Sequence, residues 1–561
     1  MLIPSLVVGA LSLGVAADSH YDSPFEYDFV VVGGGTSGLV VANRLSELSN
    51  VTVAVIEAGS SVLNNFNVTY IEGYSLAFDT EIDWAYQTEK QTYAGDLKQT
   101  IRAGKAIGGM SYTRAEDVQI DNWELVGNKG WNWKSLFPYY KKSEGFEVPT
   151  QDQIAHGASY DADYHGQNGP VKVGWPTAMT NSSVFPVLNE TFEHLGVHYN
   201  RDSEGGKMVG FTVHPDTVDR EANVRMDAAR AYFWPYKSRS NLNIISNTQA
   251  NKIIWENTTH GEASANGVEV TGPHGMRKIY ASKEVILSAG ALRSPALLEL
   301  SGVGNPDILR KYGIPVKVNL PTVGENLQDQ TNNALIWEGK DYLTGLATFP
   351  LCPRSTSSMG TEFLKWRHLS KPISLATQRT YRRPQTVFLR NPIFCPRSRM
   401  LKIVFAPSGE SFAKGVHIRS TNVSQPPAIN PNYFMFEQDA TAQADVAQFI
   451  RKAFGTAPLS NIVGDEVSPG LDVLPANSSS ATWNNWVLAN YRPNYHPVGT
   501  ASMLPRENGG VVSPELKVYG TKNVRVIDAS VLPFQLCGHL QSTLYAVAEK
   551  ASDLIKQSHT A

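Results

Sequence analysis

Tyr27-Asp-Phe-Val-Val-Val-Gly-Gly-Gly-Thr-Ser-Gly38 decides the fold. An apolar run rich in β-branched residues reads as a buried strand, and it enters a turn with glycines at Gly33, Gly35 and Gly38. That spacing is G-x-G-x-x-G. Leu39, Ala42 and Leu45 then recur at helical spacing, and Val51–Ile56 reads as a second strand that ends at Glu57. Strand, glycine turn, helix, strand and acid in this order make the dinucleotide-binding unit of an α/β fold. The glycines allow a tight turn and close approach of a pyrophosphate. Thr36 and Ser37 open the helix, whose N-terminal N–H groups and dipole favour the phosphates. Glu57 can accept from ribose hydroxyls, and its charge disfavours a 2′-phosphate. The unit by itself does not choose between NAD and FAD.

Composition excludes several classes. The chain has 561 residues, is 42% hydrophobic and 18% charged, and carries a formal net charge of −3. It can bury a large core, and its overall charge gives no case for nucleic-acid binding. The three cysteines, Cys352, Cys395 and Cys537, contain no CxxC pair and allow at most one disulfide. No third ligand spacing accompanies the histidines discussed below, so no metal is expected. Residues 1–17 are apolar and end in small residues, the pattern of a signal peptide. The run is too short for a stable membrane span. Secretion is therefore expected, and sequons at Asn50, Asn67, Asn181, Asn189, Asn257, Asn422 and Asn477 permit glycosylation.

Further segments narrow the choice of cofactor. They are Gly104-Lys-Ala-Ile-Gly-Gly109, Gly290-Ala-Leu-Arg-Ser-Pro295, Asn494-Tyr-His-Pro497, the strand Asn523–Ile527 running into Asp528, and His539 before a final amphipathic helix. Together with the glycine turn they resemble the glucose–methanol–choline (GMC) flavoprotein oxidoreductases. Within that family the resemblance is strongest to secreted fungal FAD-dependent glucose dehydrogenases and glucose oxidases. It covers roughly residues 25–350 and 405–557.

The resemblance implies FAD. It also implies an FAD-binding domain over 25–115, 240–340 and 497–561, and a substrate domain over 116–239 and 341–496 built on a six-stranded antiparallel sheet. Cofactor contacts are implied at Gly33, Gly35, Thr36, Ser37, Gly38, Glu57, Lys105, Gly108, Gly109, Ser111, Ala250, Asp528, Ala529 and Gln541. His496 is implied as the base that takes the hydroxyl proton while a hydride leaves carbon, with His539 bonding the same hydroxyl. A neutral imidazole suits that role near neutral pH. Arg492 and Asn494 match the sugar-binding positions of the glucose-specific members, and Tyr74 matches a ring at the pocket entrance.

The expected reaction is therefore oxidation of glucose or a similar sugar, with oxygen or a quinone as final acceptor. A secondary-metabolite alcohol is the alternative substrate. A secreted relative with impaired catalysis is the alternative from another class. Two departures motivate these alternatives. Gly109 runs straight into Met110, where the family carries about six more residues ending in Asn-Gly. Residues 350–403 hold eleven Lys or Arg against the single acid Glu362, and show no clear helix or strand period. A basic patch and a mistranslated stretch both account for them.

Overall fold

The computed structural model describes residues 25–71, 73, 75–108, 114–181, 184–257, 261–339, 348–352, 362–365, 385–390 and 415–560. For the three strands between 348 and 390 the description covers the backbone alone.

The quoted strand, Phe25–Val32, lies inside a seven-stranded sheet. On one side it pairs in parallel with Val53–Ile56, which pairs in parallel with Leu242–Ile245. On the other side it pairs in parallel with the long strand Gly275–Leu287. The C-terminal half of that strand receives Val524–Val526, also in parallel. Its N-terminal half carries an antiparallel hairpin extension, Ala265–Gly272 and Gln249–Trp255. Val30, Val31, Val53, Val55, Val285 and Ile286 are wholly buried. A parallel sheet covered on both faces demands such unbroken apolar runs in place of alternation.

The parallel strands all end on the same side. Val32 is followed by Gly33, Ile56 by Glu57, Leu287 by Ser288 and Val526, two residues on, by Asp528, and all four of these residues line one cavity. Ligands of open α/β sheets bind at this carboxyl edge.

The first helix, Thr36–Leu45, packs on the last, Gln541–Thr560. Arg44 Nε reaches both carboxylate oxygens of the buried Glu549, at 2.9 and 2.8 Å, and Tyr232 donates to the same carboxylate. The helix Trp133–Ser143 also lies on the last helix, with Tyr140 and Thr543 hydroxyls 2.7 Å apart.

Where a single six-stranded antiparallel sheet is implied, the described residues form two three-stranded ones. Ala334–Gly339 lies between Gln385–Arg390 and Val463–Ser468, and Thr348–Cys352 lies between Glu362–Lys365 and Gly210–Phe211. Three of these strands fall wholly or partly within residues 350–403. The sequence of that stretch shows no strand period because the pairing comes from long-range backbone bonds, which leave none. Cys537 is disulfide-bonded and buried beside Met208, as the cysteine count allows. Among the described residues no helix is long and apolar enough to cross a membrane.

Candidate active site

One elongated cavity of about 680 Å³ runs from the glycine turn to the two histidines. At its dinucleotide end the glycines divide the work. Gly33 has φ +112°, and a Cβ there would lie 2.2 Å from the Ser288 carbonyl oxygen. Gly38 is pressed against the turn itself, where a Cβ would lie 2.0 Å from the Gly33 carbonyl oxygen. Gly35 is different: the nearest atom to a Cβ would be 3.9 Å away, so the backbone is bare toward the cavity. Beside it, Ser37 Oγ is buried with no hydrogen-bond partner. A bare glycine and an orphaned hydroxyl at a helix N-terminus form a cradle for a pyrophosphate.

Glu57 closes the next strand. Its carboxylate accepts from the amides of Gly34 at 2.8 Å and Gly59 at 2.7 Å, while burial raises its pKa. Those amides fix the carboxylate on the cavity wall, with lone pairs left over for ribose hydroxyls. Ala250 lies at the same end, and Ala529 and Gln541 lie further along the wall. Asp528 is held by four bonds, from the Gly290 and Ser530 amides and the Ser294 and Ser530 hydroxyls. Burial raises its pKa as well. Its carboxylate ties the ends of two parallel strands together beneath the cavity.

At the far end, His496 and His539 meet edge to face, with ring centroids 4.9 Å apart and Nε2 of the first 3.1 Å from Nδ1 of the second. Tyr495, just before His496, adopts φ +65°, an uncommon state for a bulky residue. The turn is held from residues 329–330 and from Tyr433. The Asp329 carboxylate accepts from the His496 amide at 2.8 Å and from the Tyr433 hydroxyl at 2.6 Å, and burial pushes its pKa up to about 6. Gln330 Oε1 lies 2.6 Å from His496 Nδ1. Among the described residues no group of His, Cys, Asp or Glu is arranged to hold a metal ion.

Of the residues singled out in the sequence, Gly33, Gly35, Thr36, Ser37, Glu57, Gly108, Ala250, Asn494, His496, Asp528, Ala529, His539 and Gln541 line this cavity. Three do not reach its wall. Gly38 serves helix–strand packing. Lys105 places its ammonium over the Trp84 ring, 5.0 Å from the centroid. Arg492 turns its Nε to Asn332 Oδ1 at 2.8 Å, because residues 492–493 pair antiparallel with 331–332. Gly109, Ser111 and Tyr74 lie outside the described residues. Asp329, Gln330 and Asn332 were not anticipated. Their signal is the polar run Gln328–Asn333, in which Gln330, Asn332 and Asn333 are buried, an arrangement that demands partners.

A dinucleotide cradle opening onto a pair of histidines fits a dinucleotide-dependent oxidoreductase, and comparison with known proteins supplies the family and, with it, the flavin. The chain belongs to the GMC oxidoreductases, whose N-terminal signature matches residues 27–332 and whose C-terminal signature matches residues 414–548. It is 38% identical to the glucose oxidase-like protein fsoC of Humicola fuscoatra, over 98% of each chain. It is 33% identical to the glucose oxidase of Aspergillus carbonarius, over 94% of this chain and 92% of that one. Among solved structures it resembles an FAD-dependent oxidoreductase from Chaetomium thermophilum. That match has a TM-score of 0.79 and 25% identity, over 95% of this chain and all of the other. The cofactor is FAD, and the residues present fit it: Gly35 and Ser37 for the pyrophosphate, Glu57 and Ala250 for the adenosine end.

Proposed function

We propose that the protein oxidises an alcohol, with glucose or a similar sugar as first candidate, and that His496 is the base. The observation that carries this reading is the His496–His539 pair on the wall of the cavity that begins at the dinucleotide turn. When bound, FAD supplies the acceptor for the hydride that leaves the carbinol carbon. His496 takes the hydroxyl proton on Nε2. His539 donates from Nδ1 to the same oxygen and steadies the negative charge that develops there. At 3.1 Å the two nitrogens bond each other, so a substrate hydroxyl replaces that bond with two of its own.

Two observations support a sugar: the full-length likeness to proteins named glucose oxidases, and Asn494 on the wall beside His496. Arg492, engaged with Asn332, favours a second reading in which the substrate is a non-sugar alcohol. Anaerobic addition of glucose or benzyl alcohol to the purified holoenzyme tests both. Bleaching of the flavin bands by glucose supports the sugar. Bleaching by benzyl alcohol alone supports the second reading, and persistence of the bands with a broad alcohol panel overturns both. Admitting air afterwards separates oxygen from a quinone as acceptor, since rapid recovery of the bands means oxygen. We also propose export, supported by the apolar run over residues 1–17. Fractionation of a producing culture tests it.

A further inference from the structure

Four polar side chains beneath His496 form one connected set with it. Arg492 Nε lies 2.8 Å from Asn332 Oδ1, and Asn332 Nδ2 lies 2.9 Å from Asn494 Oδ1. Asn494 Nδ2 lies 3.0 Å from Gln330 Oε1, and Gln330 Nε2 lies 2.7 Å from the Leu536 carbonyl oxygen. His496 Nδ1 joins at Gln330 Oε1, 2.6 Å away, with Asn494 Nδ2 at 3.2 Å from the same ring nitrogen.

Amide side chains can usually be turned over without changing their shape. Here neither end of the chain permits it. A guanidinium only donates, so Asn332 must face Arg492 with its oxygen. Its NH₂ then faces Asn494, whose own NH₂ faces Gln330. A backbone carbonyl only accepts, so Gln330 must face Leu536 with its NH₂. Both ends therefore require the same thing, an oxygen of Gln330 pointed at His496. At 2.6 Å that oxygen needs a proton between itself and the ring, and the proton is on Nδ1.

We propose that Gln330 is a positioning residue that holds His496 in its Nδ1–H tautomer, leaving Nε2 bare toward His539 and the cavity. Arg492 and Asn494 act through the same chain: Arg492 sets its direction and Asn494 transmits it. This inference rests on the reading of His496 as base and adds which nitrogen is ready and why. The other groups facing His496 are the His539 ring, the Asp329 carboxylate on the His496 amide, and the Tyr433 hydroxyl beyond it. None of these three reaches Nδ1 in the bonds described.

The test uses the FAD holoenzyme labelled with [¹⁵N]histidine, the His496 signals being assigned by their loss in His496→Ala. The expected wild-type spectrum shows a protonated Nδ1 and a bare Nε2. Gln330→Met, which keeps the shape and removes the acceptor, is expected to show a mixture of tautomers with FAD retained. It should also lower the limiting rate of flavin reduction by about 10- to 100-fold, with KM little changed, as expected when a side chain that orients a functional imidazole is lost. Gln330→Glu keeps an acceptor and adds charge, so it retains the tautomer and moves the acid limb of the rate profile to higher pH. A wild-type proton on Nε2, or an unchanged tautomer in Gln330→Met, overturns the proposal. Should Gln330→Met not fold, the wild-type spectrum and Gln330→Glu still decide. Arg492→Met is expected to give the same mixed signal; an unchanged tautomer with a raised KM for glucose alone returns Arg492 to the sugar. Flavin reduction that survives His496→Ala removes the base assignment instead, and leaves the tautomer result standing.

Discussion

Two alanine substitutions two residues apart, Gly33→Ala and Gly35→Ala, should fail in opposite ways. Gly33 sits at φ +112°, where a side chain costs about 1–3 kcal/mol. Its Cβ would also lie 2.2 Å from the Ser288 oxygen and 2.6 Å from the Ser288 carbonyl carbon, both backbone atoms of the residue that follows the adjacent strand. Relieving that overlap means parting two strands of the central sheet, so the total should reach at least ~3 kcal/mol, a large share of a typical stability. Gly35 has φ −85° and ψ −164°, open to any residue, and nothing lies within 3.9 Å of its Cβ position. Alanine there should leave the apoprotein as stable or raise it by ~0.4–1 kcal/mol, through the unfolded state. The methyl would instead occupy the place of a phosphate oxygen and lengthen its charged hydrogen bonds. Bonds of that kind are worth about 1.5–3 kcal/mol, or roughly 10- to 150-fold in the FAD dissociation constant. Apoprotein melting by tryptophan emission and FAD titration by flavin fluorescence measure the two effects separately. FAD binding as tight in Gly35→Ala as in the wild type would refute the placement of the pyrophosphate. A stable Gly33→Ala apoprotein would refute the account of the turn.

Three other outcomes follow from the same geometry. Ser37→Ala removes the orphaned hydroxyl and should weaken FAD by about tenfold or more without lowering apoprotein stability, since no protein bond is lost. His496→Ala should keep the flavin spectrum and lower the rate of flavin reduction about 10²- to 10⁴-fold, the usual worth of a general base; stopped-flow absorbance reads it. His165 is buried. That burial opposes its charge, but bonds to Asp202 at 2.9 Å and Glu144 at 2.8 Å raise its pKa from 6.5 to about 9. The folded state thus holds a proton that the unfolded chain releases, so this stability is complete below pH 6.5 and is lost as the pH rises through 9. Melting temperatures of the wild type should fall across that interval, and those of His165→Phe should be flatter.

The cofactor end was legible because its chemistry is local. A turn that needs glycine, a helix start and an acid after the next strand all lie within residues 27–57, and their spacing carries the geometry. The histidines were legible only through resemblance, since a histidine in isolation says nothing about its partners. Gln330 and Asn332 escaped for a physical reason: they act across 160 residues of sequence or more, and side-chain amides leave no periodic trace. Arg492 reads as a sugar ligand only through its match, with Asn494, to the sugar-binding positions of the glucose-specific members. The antiparallel pairing of 331–332 with 492–493, which turns it toward Asn332, is a long-range backbone property.

The contact between Thr36–Leu45 and Gln541–Thr560 has a consequence for synthesis. A ribosome makes Arg44 some 500 residues before its partner Glu549, as their positions in the chain require. Throughout that interval the first helix lacks the cover of the last one, and Arg44 has Glu47, one turn on, in place of Glu549. Domains form as units once their sequence has emerged, and exposed apolar surface recruits chaperones. The first helix therefore gains its full cover only once Gln541–Thr560 has been made, so a chain stopped short of Gln541 should be recognised and destroyed rather than released with half a site.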